Sequence, residues 1–190
     1  MGFLDAMIKR SRLKSPWIIH FDCGSCNGCD IEVLACLTPM YDVERFGVVN
    51  TGNPKHADVL LVTGTVNHRN RHVLKQIYDQ MPEPKAVVSI GACNLSGGVF
   101  KDSYNILNGA YNVIPVDVFV PGCPPKPEAI IDGVVTALDV LKAKMGLGPA
   151  PEPMLMPGDA DDGTPAGAVG DNGGQEPDTA AHMNNAGWAR

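Results

Sequence analysis

Six cysteines stand out in this 190-residue chain, because thiolates bind metal ions and act as nucleophiles. Three of the six, Cys23, Cys26 and Cys29, follow one another at three-residue intervals with glycine between them. Such a C-x2-C-x2-C loop can curl round a small inorganic core while its backbone N–H groups point at the sulfides of that core. The spacing therefore predicts thiolate ligands for an iron–sulfur cluster.

Two further cysteines occupy equivalent places in the predicted topology. Cys93 follows the apolar run Val87–Ile90, and Cys123 follows Val116–Val120. Each thus stands just past the carboxyl end of a predicted parallel strand, where open α/β sheets bind their ligands. Three strand ends that carry cysteine can converge on one site.

The thiols have other conceivable uses. A disulfide framework is not expected, because we expect the chain to remain in the reducing cytoplasm. Structural zinc commonly uses paired C-x2-C knuckles, whereas Cys93 and Cys123 are 30 residues apart and isolated, which favours iron–sulfur over zinc. Spacing leaves open whether Cys23 or Cys26 is the first ligand. Cys36, inside a predicted helix, is interpreted as a small buried hydrophobe.

The elements that must position these thiols follow an α/β pattern, in which short apolar runs alternate with helical segments as in a parallel sheet. Helices are predicted to begin near Asp30, to cover Arg69–Gln80, and to begin again at Pro127, where proline suits a first turn. Strands are predicted at Trp17–Phe21, Val43–Val48, Val59–Val62, Val87–Ile90 and Val116–Val120.

Composition divides the chain into three segments. Residues 1–16 combine apolar and basic side chains, which predicts an amphipathic helix that lies on a membrane surface, docks onto a partner or covers its own domain. Residues 17–146 are the expected α/β domain. Residues 147–190 are rich in Gly and Pro and carry seven acidic side chains against one basic, so we predict a disordered or partner-wrapped tail.

Charge and motif content exclude several classes of function. Residues 1–147 carry 14 acidic and 14 basic side chains, so no basic face for nucleic acid is expected. No run of 18 apolar residues is present, so no bilayer-spanning helix is predicted. Neither a phosphate-binding P-loop nor a nucleophile elbow is found, which leaves nucleotide hydrolysis and serine-type hydrolysis without support.

Longer runs of sequence resemble a known family. Tyr41–Gly47, Tyr78–Pro84 and Val116–Pro125 resemble the subunit of respiratory complex I that holds its terminal cluster. That subunit has two adjacent cysteines where this chain has Cys26-Asn-Gly-Cys29, and this C-x-G-C resembles the small subunit of [NiFe] hydrogenases.

Two further segments, Thr51–Pro54 and Pro124–Gly133, complete the resemblance to one branch of these proteins. The combination is similar to the small subunit of membrane-bound, energy-converting (group 4) [NiFe] hydrogenases. That group includes the Ech type, the carbon monoxide-induced type and formate hydrogenlyase.

The resemblance implies a flavodoxin-like open parallel sheet with helices on both faces and one [4Fe–4S] cluster at its carboxyl edge. Carried over residue by residue, the ligands of the family are Cys26, Cys29, Cys93 and Cys123, and Cys23 becomes a neighbour of the cluster. The chain is then expected to relay electrons between a ferredoxin-like iron–sulfur subunit and the nickel–iron site of a separate large subunit. Proton reduction or hydrogen oxidation would be coupled to ion translocation by integral membrane subunits, with this chain peripheral on the inner face of the cell membrane.

Three alternatives stay open at this point: a quinone-reducing complex I subunit, a sulfur-reducing relative, and a zinc-stabilised interaction module without redox activity. Glu32 lies three residues after Cys29, so it is either a carboxylate favoured by the helix dipole or a proton relay beside the cluster. Gly91, Gly97 and Gly98 flank Cys93 and are expected to allow close backbone approach to the cluster.

Overall fold

A five-stranded parallel sheet forms the middle layer of the structure, a computed structural model that describes residues 3–149. The strands lie in the order β2-β1-β3-β4-β5, which is the order of flavodoxin-like sheets. The predicted fold class is therefore confirmed. The strands are β1 (Trp17–Asp22), β2 (Val49–Asn50), β3 (Val59–Thr63), β4 (Ala86–Ile90) and β5 (Val118–Val120).

Helices cover both faces of this sheet. They are α1 (Phe3–Lys14), α2 (Gly28–Leu37), α3 (Arg71–Gln80), α4 (Ala92–Ser96) and α5 (Pro127–Lys144). The start predicted for α5 is confirmed, whereas α2 begins two residues before Asp30 and α3 begins two residues after Arg69. Helix α4 was not predicted, because its five residues are too few to show a helical period.

The strand predicted at Val43–Val48 is wrong. Residues Val43–Phe46 form a 3-10 helix, between Asp42 at φ 45° and Gly47 at φ 94°. These left-handed conformations turn the backbone at both ends, so no extended strand can form there. The valines at the two ends of this segment are buried, and the short β2 that follows it pairs with β1.

Two apolar cores flank the sheet, as the parallel arrangement requires. Every residue of β3 and β4 is buried. Leu61 and Ile130 lie in the core beneath α2 and α5, and Leu60 and Leu74 lie in the core beneath α3. Because apolar side chains cover most of both faces, the loops at the carboxyl ends of the strands are the expected place for a polar ligand.

Helix α1 lies against the residues that precede β3 and β4. Arg12 Nε donates to Asp58 Oδ1 at 2.5 Å, and Lys9 Nζ donates to the carbonyl oxygen of Met145 at 3.2 Å. The apolar side chains of Leu4 and Ile8 are exposed on α1. Basic side chains thus attach this helix to the domain, together with the half-buried Leu13.

The segment predicted as a tail begins at residue 147, and its residues 150–190 lie outside the described part of the chain. Within residues 3–149, none of the helices is both long and apolar enough to cross a membrane.

Candidate metal centre

Three loops that carry cysteine meet at the carboxyl edge of the sheet. The first loop follows β1, carries Cys26 and ends at Cys29 in the first turn of α2. The second loop is Gly91 with the first turn of α4, which carries Cys93, and the third loop follows β5 and carries Cys123. Backbone hydrogen bonds join the second and third loops, from Gly91 N to Val120 O at 2.9 Å and from Ala92 N to Gly122 O at 2.8 Å. Because β3 separates β1 from β4, the first loop must reach over the end of β3 to join them.

Glycines mark where the three loops touch. A Cβ at position 28 would lie 3.5 Å from the Sγ atom of Cys26 and 3.9 Å from the Cβ atom of Pro124, so the first loop contacts the third. A Cβ at position 91 would lie 2.5 Å from Cys29 Sγ, so the second loop contacts the first. The close backbone approach predicted for Gly91 is therefore an approach to the Sγ atom of Cys29.

The thiols at this edge influence one another's ionisation. Burial raises the pKa of the Cys29 thiol to about 11, with further contributions from Cys93, Asp30, Cys123 and Cys26. Burial, Cys123 and Cys26 likewise raise the pKa of Cys93. The four predicted ligands therefore lie close enough to feel one another's charge. A group of positive metal ions among them would favour the thiolate forms.

Cys23 and Cys36 lie outside this group. Cys23 is fully buried in the core beneath α3, where burial and then Asp22 raise the pKa of its thiol to about 12. Cys36 is buried beneath α2, where its Sγ atom lies 3.3 Å from the carbonyl oxygen of Glu32. The structure thus brings Cys26, and not Cys23, beside the other three thiols.

A turn closed by Asp22 shapes the first loop. Its Oδ1 atom accepts hydrogen bonds from Gly24 N at 2.8 Å and from Ser25 N at 2.7 Å. The side chain of Asn70 holds the same loop from outside by donating to Cys23 O at 2.7 Å. Neither Asp22 nor Asn70 was predicted from the sequence. An aspartate followed at two residues by glycine is a turn signal that could have revealed Asp22.

Glu32 is half-buried in α2. Its charge helps to raise the pKa values of Cys36 and Tyr41. It is not among the groups that shift the pKa values of Cys29 and Cys93. The proton-relay role of Glu32 stays a prediction.

Known proteins resemble this chain over most of its described length. Residues 26–137 match the family described as NADH ubiquinone oxidoreductase, 20 kDa subunit. The probable membrane-bound hydrogenase subunit mbhJ of Pyrococcus furiosus is 56% identical over 138 residues, which are 73% of this chain and 82% of that protein. Formate hydrogenlyase subunit 7 of Escherichia coli is 44% identical over 144 residues, 74% of this chain but only 56% of that relative.

A solved structure described as the membrane-bound sulfane sulfur reductase (MBS), an archaeal respiratory membrane complex, contains a similar chain. That chain superposes with a TM-score of 0.64 at 36% identity, over 72% of this chain and 76% of its own length.

Proposed function

Because the chain belongs to the family of the 20 kDa subunit of NADH ubiquinone oxidoreductase, we propose that it is the electron-transfer small subunit of a membrane-associated, energy-converting [NiFe] hydrogenase. In this proposal Cys26, Cys29, Cys93 and Cys123 hold one [4Fe–4S] cluster. The observation that carries it is the meeting of these four thiols at one edge of the sheet, where the other three all act on the ionisation of Cys29.

The residues at this edge fit such a cluster. Iron–sulfur clusters are held by four thiolates, which is the donor set found here. Helix α2 begins at Gly28, so the partial positive charge of its first turn lies beside Cys29 and favours an anionic group. The glycine at position 91 leaves the Cys29 sulfur free of a neighbouring side chain.

The sequence positions of the thiols favour a cluster over a zinc ion. Structural zinc commonly uses paired C-x2-C knuckles, whereas Cys93 and Cys123 are 30 residues apart and each follows a different strand. In a cubane each cysteine binds a different iron atom, so thiolates from separate strand ends can share one cluster.

A bound [4Fe–4S] cluster supplies the capacity to accept and donate single electrons. The exposure of the ligand side chains determines through which face of the cluster electrons can pass to a partner. Cys29 is buried against the sheet, whereas Cys26 and Cys123 are exposed. The cluster edge beside those two residues is therefore the face through which electrons would reach a partner.

The partners that follow from this function are a large subunit with the nickel–iron site, a ferredoxin-like iron–sulfur subunit and integral membrane subunits. None of the nickel ligands is assigned to this chain. Its place in the complex is peripheral, on the inner face of the cell membrane. The name of the Pyrococcus furiosus relative, a membrane-bound hydrogenase subunit at 56% identity, supports this arrangement.

A sulfur-reducing complex is the second candidate, because the structural match at 36% identity is to a sulfane sulfur reductase. A quinone-reducing complex is the third, since the family is described by a ubiquinone oxidoreductase. The C-x-G-C of Cys26 and Cys29 favours hydrogenase over quinone reduction, because the complex I subunit resembles this chain except for adjacent cysteines at that point.

Metal and sulfide analysis with EPR of the reduced protein tests the cofactor. We expect about four iron and four acid-labile sulfide per chain, together with the signal of a reduced cubane. About one zinc per chain with no reducible centre would contradict the proposal. In the purified complex, nickel and hydrogen evolution from reduced ferredoxin would distinguish a hydrogenase from the sulfur-reducing and quinone-reducing candidates.

A further inference from the structure

The carboxylate of Asp30, the residue that follows Cys29, accepts hydrogen bonds from two hydroxyl groups and lies beside the ring of His20, which is itself hydrogen-bonded to Thr63 Oγ1 at 3.0 Å. Its Oδ1 atom accepts from the hydroxyl of Thr63, the last residue of β3, at 2.5 Å and lies 3.1 Å from Nε2 of His20 in β1. Its Oδ2 atom accepts from the hydroxyl of Ser25 in the first cysteine loop. One side chain thus connects that loop to two strands.

The amide of Asn94, the residue that follows Cys93, makes the corresponding connection for the second loop. Asn94 is fully buried. Its Oδ1 atom accepts from the hydroxyl of Ser89 in β4 at 2.5 Å, and its Nδ2 atom donates to the carbonyl oxygen of Gly64 at 2.9 Å. Both hydrogen bonds are shielded from water, so this side chain holds its loop in one orientation.

The two connections end on consecutive residues of one strand end. Thr63 closes β3, and Gly64 follows it directly. Strand β3 lies between β1 and β4 and is buried along its whole length, so its end is held from both sides. The end of β3 carries no cysteine, but it lies between the first and second cysteine loops. Asp30, which follows Cys29, and Asn94, which follows Cys93, each bind to this strand end.

We propose that Thr63 and Gly64 are a common anchor, and that Asp30 and Asn94 are positioning residues that set the separation of Cys29 and Cys93. The proposal rests on the proposed function, because it assigns these side chains a role in holding a cluster. Ligands reach a cluster in a fixed arrangement only if each ligand loop is fixed, and the end of β3 fixes two loops with respect to one another.

The physical consequence is a tighter and more uniform cluster site. Side chains that orient metal ligands through hydrogen bonds commonly contribute about 10-fold to 100-fold in metal affinity. If the Thr63 hydroxyl is removed, Asp30 loses its own hydrogen bond to β3, whereas the backbone bond from Cys23 N to Thr63 O at 3.0 Å remains. The end of the first loop that carries Cys29 can then move relative to the second loop while the cysteines themselves are unchanged.

Substitution of Thr63 in the full-length chain with its cluster tests this inference. Thr63→Val keeps the branched shape but removes the hydroxyl, whereas Thr63→Ser keeps the hydroxyl. We expect Thr63→Val to release iron to a chelator about 10-fold faster than the unaltered chain. We also expect its reduced EPR spectrum to broaden and its midpoint potential to shift. Thr63→Ser should keep the iron release, the EPR spectrum and the midpoint potential of the unaltered chain.

Two further variants complete the set. Ser25→Ala removes another donor to Asp30 at a half-buried loop position, so it tests the inference even if Thr63→Val fails to fold. Its iron release and EPR spectrum should change in the same direction as those of Thr63→Val. Thr136→Val is the control, because the exposed hydroxyl of Thr136 bonds only within α5, to Asp132 O at 2.9 Å.

Unchanged iron release, EPR spectrum and potential in Thr63→Val or, where that variant does not fold, in Ser25→Ala would overturn the inference. Equal effects of Thr63→Val and Thr63→Ser would also overturn it, because size and not the hydroxyl would then matter. Failure of the proposed function has a different signature, since the unaltered chain would then contain no iron–sulfur cluster to release.

Discussion

Gly91 lies against the sulfur of Cys29, so that a Cβ at position 91 would be 2.5 Å from Sγ. The same glycine has φ at 87°, a backbone conformation that residues other than glycine rarely adopt. Two independent requirements, backbone conformation and space for a sulfur, therefore coincide at the residue that begins the second cysteine loop.

Gly91→Ala should empty the cluster site. The new methyl group must displace the Cys29 sulfur, so we expect the iron content of the purified chain to fall to a small fraction of that of the unaltered chain. Gly146→Ala is the matched control, because Gly146 has φ at 74° but no atom lies within 4 Å of the place that a Cβ would take there. Gly146→Ala should lose about 1–2 kcal/mol of stability to backbone strain. Gly91→Ala should lose more, because Gly91 has ψ at 154°, in a region that is almost exclusive to glycine, and because its new methyl group meets the sulfur. Full iron content in Gly91→Ala would contradict the proposed role of Cys29.

Cys26 and Cys23 can be distinguished by substitution. Cys26→Ala should remove the cluster, and between cluster-free chains it should change the free energy of unfolding little, because Cys26 is exposed. Cys23→Ala should keep the cluster but lower stability by about 1 kcal/mol, since it leaves a small cavity in a core. Iron content and urea unfolding of both variants check this. The reverse pattern of iron content would move the first ligand to Cys23.

The buried thiol of Cys23 predicts how stability depends on pH. Burial raises its pKa to about 12 in the folded chain, from an ordinary value near 9. A raised folded pKa means that the contribution to stability is fully present below pH 9 and is lost as the pH rises towards 12. Cys23→Ala should therefore flatten the fall in unfolding free energy above pH 9, measured by urea titration at several pH values.

Cys36→Ala provides the comparison for this pH experiment, because the pKa of its thiol is raised only to about 11. The difference in unfolding free energy between Cys36→Ala and the unaltered chain should therefore stop changing at a lower pH than the corresponding difference for Cys23→Ala. An identical pH dependence in the unaltered chain and in Cys23→Ala would show that the thiol is not buried as described.

The ion pair of Arg12 with Asp58 is one of the contacts that attach α1 to the domain. The carboxylate of Asp58 is only 7% exposed and accepts from Arg12, so Arg12→Gln leaves a buried charge without its partner. We expect a loss of about 3–5 kcal/mol in unfolding free energy, as is found when one member of a buried pair is removed. Lys75→Gln is the control, since its pair with Asp79 is exposed and should contribute less than about 1 kcal/mol. Equal losses in the two variants would mean that α1 does not dock here.

The parts of the fold that could be predicted are those with strong local patterns. Strands β3 and β4 and helix α5 lie within one or two residues of their predicted places, because continuous apolar runs and an initial proline are local signals. The strand predicted at Val43–Val48 is wrong, because the apolar residues of this segment indicate burial and not an extended backbone. The left-handed residues at Asp42 and Gly47 bend that segment into a 3-10 helix.

The order of amino acids was enough to establish which chemistry is available and roughly where it lies. Thiols at Cys26, Cys29, Cys93 and Cys123 follow predicted strands or begin a predicted helix, and parallel strands bring their carboxyl ends to one edge whatever the details of packing. The spacing of the first three cysteines left Cys23 and Cys26 equivalent, and only the family resemblance favoured one of them.

Which side each thiol faces, and what holds it there, depends on the three-dimensional packing. Cys23 enters a core while Cys26 stays near Cys29, and the turn that Asp22 closes over Gly24 and Ser25 separates the two thiols. The bond from Thr63 to Asp30 joins residues 33 positions apart. No local pattern predicts such a contact, since it depends on which strands become neighbours in the sheet.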